Sequence, residues 1–200
     1  GRLYIISSGK LKEKNDKVDR TYKEEKEELE LPLNRIKYLK DVKTNIQTLI
    51  AVQDLDNTQN EIDLTSYLID ISNAYVSEKG IYLLDEKYNY DENEPTVLSV
   101  FGPKGLFGAF DNDYYYGSTR QTEIYKFAIS SDGNVDYSCK TATDGQTINQ
   151  YSLDEKNGHL RVALYDSEGA RVVIFNENLE QIGISSNLAK GEKMYSSRYD

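Results

Sequence analysis

Cysteine and histidine each occur once in the 200-residue chain, as Cys139 and His159, and tryptophan is absent. An internal disulfide is therefore excluded, as is a zinc site built from three or four Cys/His ligands, and a serine–histidine–carboxylate arrangement could draw only on His159. Proline is scarce, with 3 residues. Uncharged apolar runs such as 47–53 fall far short of the roughly 20 residues a membrane helix needs. Basic residues are outnumbered, 24 Lys and Arg against 34 Asp and Glu, for a net charge of −10. A chain this acidic has no general attraction for a phosphate backbone or an anionic bilayer, so nucleic acid is not an expected partner. Also missing are a Gly-x-Gly-x-x-Gly motif, a Walker loop and a basic aromatic stripe, which leaves nucleotide binding without support. The chain opens at Gly1 on Arg-Leu-Tyr-Ile-Ile, with neither an initiator methionine nor a signal peptide, and reads as a segment excised from a longer protein.

What is abundant is tyrosine: 17 residues against 5 phenylalanines. Amphipathic rings of this kind favour half-buried sheets. Apolar runs are short and separated by Gly, Asn, Asp and Ser, at 3–7, 46–52, 81–84, 124–129, 160–165 and 171–175. That spacing predicts an all-β sandwich, barrel or propeller. Two hairpins are marked by their turns, Asp132-Gly133 after 124–130 and Asn157-Gly158 before 159–164, where positive φ angles are needed.

A repeat is visible as well. Glu78-Lys-Gly80-Ile-Tyr-Leu-Leu and Lys156-Asn-Gly158-His-Leu-Arg-Val align on their glycines, and one further step back falls on Gly1. Each glycine opens a strand, followed by a second (45–54, 122–130, 170–176) and a third (61–68, 135–141, 179–185). A preceding strand is expected at 71–77 and 148–154, and its counterpart for the first unit lies at the other end of the chain, at 192–199. Three units of four short antiparallel strands predict about three propeller blades, part of a larger ring or a ring completed by several copies. The 200 residues are read as a single such segment, with loop insertions near 10–35 and 87–120. The charged run 23–30, ended by Pro32, is expected to form a turn or two of helix in a solvated excursion.

Three stretches are specific enough to carry a family resemblance: Asn149-Gln-Tyr-Ser-Leu-Asp-Glu-Lys-Asn-Gly158-His-Leu-Arg-Val-Ala163, then Val173-Ile-Phe-Asn-Glu-Asn-Leu179-Glu-Gln-Ile-Gly183, then Leu188-Ala-Lys-Gly-Glu192-Lys-Met-Tyr-Ser-Ser-Arg-Tyr199. In that order they resemble secreted bacterial and archaeal proteins with a C-terminal β-propeller domain distantly related to WD40 repeats. Residues 66–83, 122–127 and 133–137 resemble the same family, whereas both insertions depart from it. The resemblance implies a propeller fold and an extracellular or cell-surface location. It carries no catalytic residue.

Candidate sites follow from side-chain chemistry. His159 reads as an exposed residue flanking a turn, and Cys139 as an inert, half-buried strand thiol with no adjacent histidine or cation cluster to make it a thiolate. The acidic groups Asp54/Asp56, Asp91/Glu94 and Asp111/Asp113 could offer oxygens to Ca²⁺, yet none matches an EF-hand loop and solvated turns explain them. No cofactor is expected, and Ca²⁺ is the only metal considered. Residues 101–117 combine glycines with Phe and Tyr, and Tyr114, Tyr115 and Tyr116 are the binding residues expected at a loop face, set against a structural role for the same rings.

The sequence thus predicts a non-catalytic interaction module binding a protein or a glycan, with self-association through blade edges as a further expectation. The alternative is a carbohydrate-active or other hydrolase whose carboxylate pair lies in the propeller mouth.

Overall fold

The computed structural model describes the chain except for residues 15, 16, 19, 25, 26 and 91–117. It contains no α-helix among the described residues, and no helix there is long and apolar enough to cross a membrane. Among the described residues three four-stranded sheets carry the fold. The first is built from β1 (Arg2–Lys10), β6 (Ile36–Tyr38), β7 (Ile46–Asp54) and β8 (Asp63–Leu68), in the order β1-β7-β8-β6. The second holds β9 (Asn73–Val76), β10 (Gly80–Tyr90), β11 (Ser118–Ile129) and β12 (Val135–Asp144), and the third β13 (Leu153–Lys156), β14 (His159–Asp166), β15 (Gly169–Phe175) and β16 (Gln181–Ile184). In these two sheets the spatial order follows the chain, as expected of propeller blades.

The repeat read from the glycines is realised in β1, β10 and β14, each of which starts at or beside Gly1, Gly80 or Gly158. The β13–β14 turn has Asn157 at φ 55° and Gly158 at φ 77°, the two positive angles of a tight hairpin. At the β11–β12 turn only Gly133 has a positive φ, 82°. Ser130 accepts from the Gly133 amide at 2.8 Å and donates its own amide to Asn134 at 3.0 Å, so this hairpin turns through three residues rather than two.

Three expectations are corrected. The run 23–30 is not helical: β4 (Thr21–Glu24) pairs antiparallel with β5 (Glu27–Glu30), placing Tyr22 opposite Leu29. A helix this short lacks the length to be stable on its own, and the cross-strand pair together with the Arg20–Glu30 ion pair favours the hairpin. The same insertion holds the small hairpin of β2 (Glu13–Lys14) and β3 (Lys17–Val18). Second, the fourth strand of the first sheet is not supplied by 192–199 but by β6, from the end of this insertion, which runs parallel to β8. Third, residues 192–199 form no strand. They dock through side chains instead: Ser197 Oγ donates to the Tyr151 carbonyl and Tyr199 Oη to that of Ser152, both at 3.0 Å.

The chain divides into two compact units, Gly1–Asp85 with Tyr125–Cys139, and Glu86–Ile124 with Lys140–Asp200. The core of the first comprises Leu39, Ile50, Tyr67, Ile69, Ile81, Leu83, Tyr125 and Phe127. Phe127 meets Tyr67 edge-on at 4.7 Å and Tyr137 at 5.7 Å between ring centroids, a geometry that suits the ring quadrupoles. The second unit buries Leu160, Val162, Leu164, Val173 and Phe175 along alternate positions of β14 and β15. Its buried polar groups are satisfied internally. Thr122 Oγ1 donates to the Gly145 carbonyl at 2.7 Å, Thr147 donates its amide and hydroxyl to Glu86 Oε1, and Arg171 bonds both Asp166 and the Asp144 carbonyl.

Candidate binding site

In the first unit a polar pocket of about 340 Å³ opens where β6 and β8 of the first sheet meet the start of β12. One wall comes from the insertion. Pro32 closes the β4–β5 segment and begins the 3-10 turn Leu33–Arg35, in which the Arg35 amide donates to the Pro32 carbonyl at 2.9 Å, and β6 then sets Lys37 opposite Tyr67 of β8. Asn34, Arg35 and Lys37 thus line that side. The floor is β8, where Asp63, Thr65 and Tyr67 alternate and so share one face. Asn134, Val135 and Asp136, from the β11–β12 turn and the first residues of β12, complete the lining.

The electrostatics are mixed. Arg35 Nη1 stands 2.6 Å from Asp63 Oδ1, and both side chains retain solvent contact, at 46% and 38%. Oδ1 itself is covered and finds no aligned hydrogen bond among the described residues, so its link to Arg35 is charge–charge contact. Tyr67 is 4% exposed, its ring sealed into the core. Burial raises its phenol above the ordinary tyrosine range, helped by the charges of Asp136 and Asp63 and opposed by the backbone of Tyr137. Two carboxylates from different sheets therefore line one pocket.

Of the residues singled out in the sequence, Tyr114, Tyr115 and Tyr116 lie outside the described residues, as do Asp91, Glu94, Asp111 and Asp113. His159 is exposed at the start of β14, and Cys139 is a half-buried free thiol in β12. Asp54 and Asp56 form a turn in which Asp54 Oδ1 accepts the Asp56 amide at 2.9 Å. No group of three or more His, Cys, Asp or Glu side chains suited to a metal occurs among the described residues. The pocket residues were missed by reading adjacent acidic pairs; the available signal was the polar alternation of Asp63, Thr65 and Tyr67 in β8.

Two successive antiparallel four-strand sheets whose strands follow the chain order, β9–β12 and β13–β16, have the pattern of β-propeller blades. The chain belongs to that family: the model of the β-propeller domain matches residues 2–200. It is similar to an uncharacterized protein of Archaeoglobus fulgidus, 28% identical over 102 residues, which cover 46% of this chain and 16% of that protein. The match thus spans about a sixth of its relative's length. No solved structure matches the chain.

Proposed function

We propose that this chain is a non-catalytic interaction module, extracellular or on the cell surface and distantly related to WD40 repeats, that binds a protein or a glycan. The observation that carries the reading is the first-unit pocket, where donors and acceptors from two sheets converge around about 340 Å³. Recognition sites need such converging polar groups on a rigid scaffold, and sheets hold them more firmly than loops do. The location rests on the resemblance of residues 149–199 to secreted propeller proteins. A second contact face at Tyr114–Tyr116 remains part of the proposal, as does self-association through edge strands such as β1, which exposes Leu3 and Ile5.

The test is binding of the labelled chain to glycan and peptide arrays, with light scattering for its mass and a panel of nitrophenyl glycosides for turnover. Binding without turnover is expected, and silence on both arrays overturns the reading. The hydrolase alternative is favoured by one observation, that Asp63 and Asp136 line the same pocket. Turnover that disappears in both Asp63→Asn and Asp136→Asn would establish it. We expect no metal requirement: the melting temperature should be the same in Ca²⁺ and in chelator.

A further inference from the structure

Resting on the binding reading, we infer that the pocket takes one neutral sugar residue, gripped through its hydroxyls by Asp63, Asp136, Asn134 and Arg35 and not by ring stacking. Charge balance is the first argument. Arg35 and Lys37 offset Asp63 and Asp136, so a ligand carrying net charge of either sign meets an opposing pair. A sugar hydroxyl both donates and accepts. Two neighbouring hydroxyls can donate to a carboxylate while accepting from an adjacent guanidinium or amide, and the Arg35–Asp63 pair offers these functions side by side.

The aromatic evidence selects the same mode. Tyr67 is the only ring among the described lining residues, and it is 4% exposed, packed edge-to-face with Phe127 in the core, so it offers a ligand no open face to stack on. A tyrosine hydroxyl can both donate to and accept from a ligand oxygen, as a sugar hydroxyl requires. A volume of about 340 Å³ lies at the small end of ligand sites, enough for one monosaccharide and its water.

The experiment is an amide-resonance titration of the whole chain with methyl β-D-glucopyranoside, methyl β-D-galactopyranoside and methyl α-D-mannopyranoside, repeated with glucuronate and glucosamine. At least one neutral glycoside should shift the amides of Thr65, Asn134 and Asp136 saturably, with the charged sugars about tenfold weaker or worse. Asp136→Asn should weaken that binding about tenfold, the loss of one charge-assisted hydrogen bond. Asn134→Ala, at an exposed turn position, provides a second variant, and an unchanged pattern of distant resonances verifies that both fold. A charged sugar binding as tightly as a neutral one, shifts confined to other surfaces, or no response to any neutral glycoside would each overturn the inference. In the last case a peptide hit on the arrays would leave the binding reading standing, whereas silence there as well would remove both.

Discussion

The two units use similar polar side chains to opposite ends. In the second unit Arg171 is 8% exposed and its guanidinium is divided between Asp166 and the Asp144 carbonyl, at 2.6 and 2.7 Å. In the first, Arg35 meets Asp63 at the same 2.6 Å but lies 46% exposed at the rim of a pocket, among Asn34, Lys37, Asn134 and Asp136. An ion pair closed off by its own fold fixes a structure; one left in partial contact with water keeps bonding capacity for something else. The same contrast separates two tyrosines. Tyr199 spends its hydroxyl on the Ser152 carbonyl while Arg161 lies 4.8 Å from its ring, whereas Tyr67 lines a cavity together with two carboxylates.

Four variants break or sharpen this comparison. Phe127→Ala, deleting a fully buried ring between Tyr67 and Tyr137, should cost about 4 kcal/mol in urea unfolding. A loss below about 1 kcal/mol would show that the first unit does not depend on this aromatic core. Arg171→Ala should cost about 3 kcal/mol by the same measurement, because Asp166 and a carbonyl lose their partner.

Tyr199→Phe should cost about 1 kcal/mol at neutral pH, the worth of one hydrogen bond. Burial raises its phenol to about 12, against partial relief from Arg161. In the unfolded chain the group ionises near 10, so between about pH 10 and 12 the unfolded state binds fewer protons than the folded one. The stability contributed by neutral Tyr199 is present below pH 10 and fades as pH rises through 12. Wild type should lose stability across this window more steeply than Tyr199→Phe, and parallel curves would refute the role of burial there. Asp136→Asn should leave stability within about 0.5 kcal/mol, since the side chain is exposed and holds no structural bond among those described. A large destabilisation would move the pocket from the binding side of the comparison to the structural side.

Most strands were legible because their signals are local. Apolar runs bounded by turn residues located β7, β14 and β15 to within two residues and one end each of β10 and β11, which extend six residues into the stretch read as an insertion or its flank, and Asn157-Gly158 located a hairpin through φ alone. What was not legible depends on partners remote in sequence. The charges of 23–30 suit a short helix or a hairpin equally well, and the pairing of Tyr22 with Leu29 decides between them. Three residues, Ile36–Tyr38, are too few to show alternation, and only β8 makes them a strand. Residues 192–199 have the pattern of a strand but no ladder partner, so their aromatic and hydroxyl side chains dock instead. The pocket was hidden for the same reason: Asp63 and Asp136 come together only when two sheets are laid against each other.

The excursion from Leu11 to Asn45, pinned at its base by a 2.8 Å bond between those residues, has a kinetic consequence. Strands β1 and β7 cannot zip from a tight turn as β13 and β14 do; their first contact must close this long loop. Relative to a four-residue connection that is about three doublings of loop length, or roughly 2 kcal/mol of entropy to be met before any ladder bond forms. The first sheet should therefore assemble after the third. Its pocket wall of Asn34, Arg35 and Lys37, borne on the same excursion, would be among the last features to appear as the chain folds.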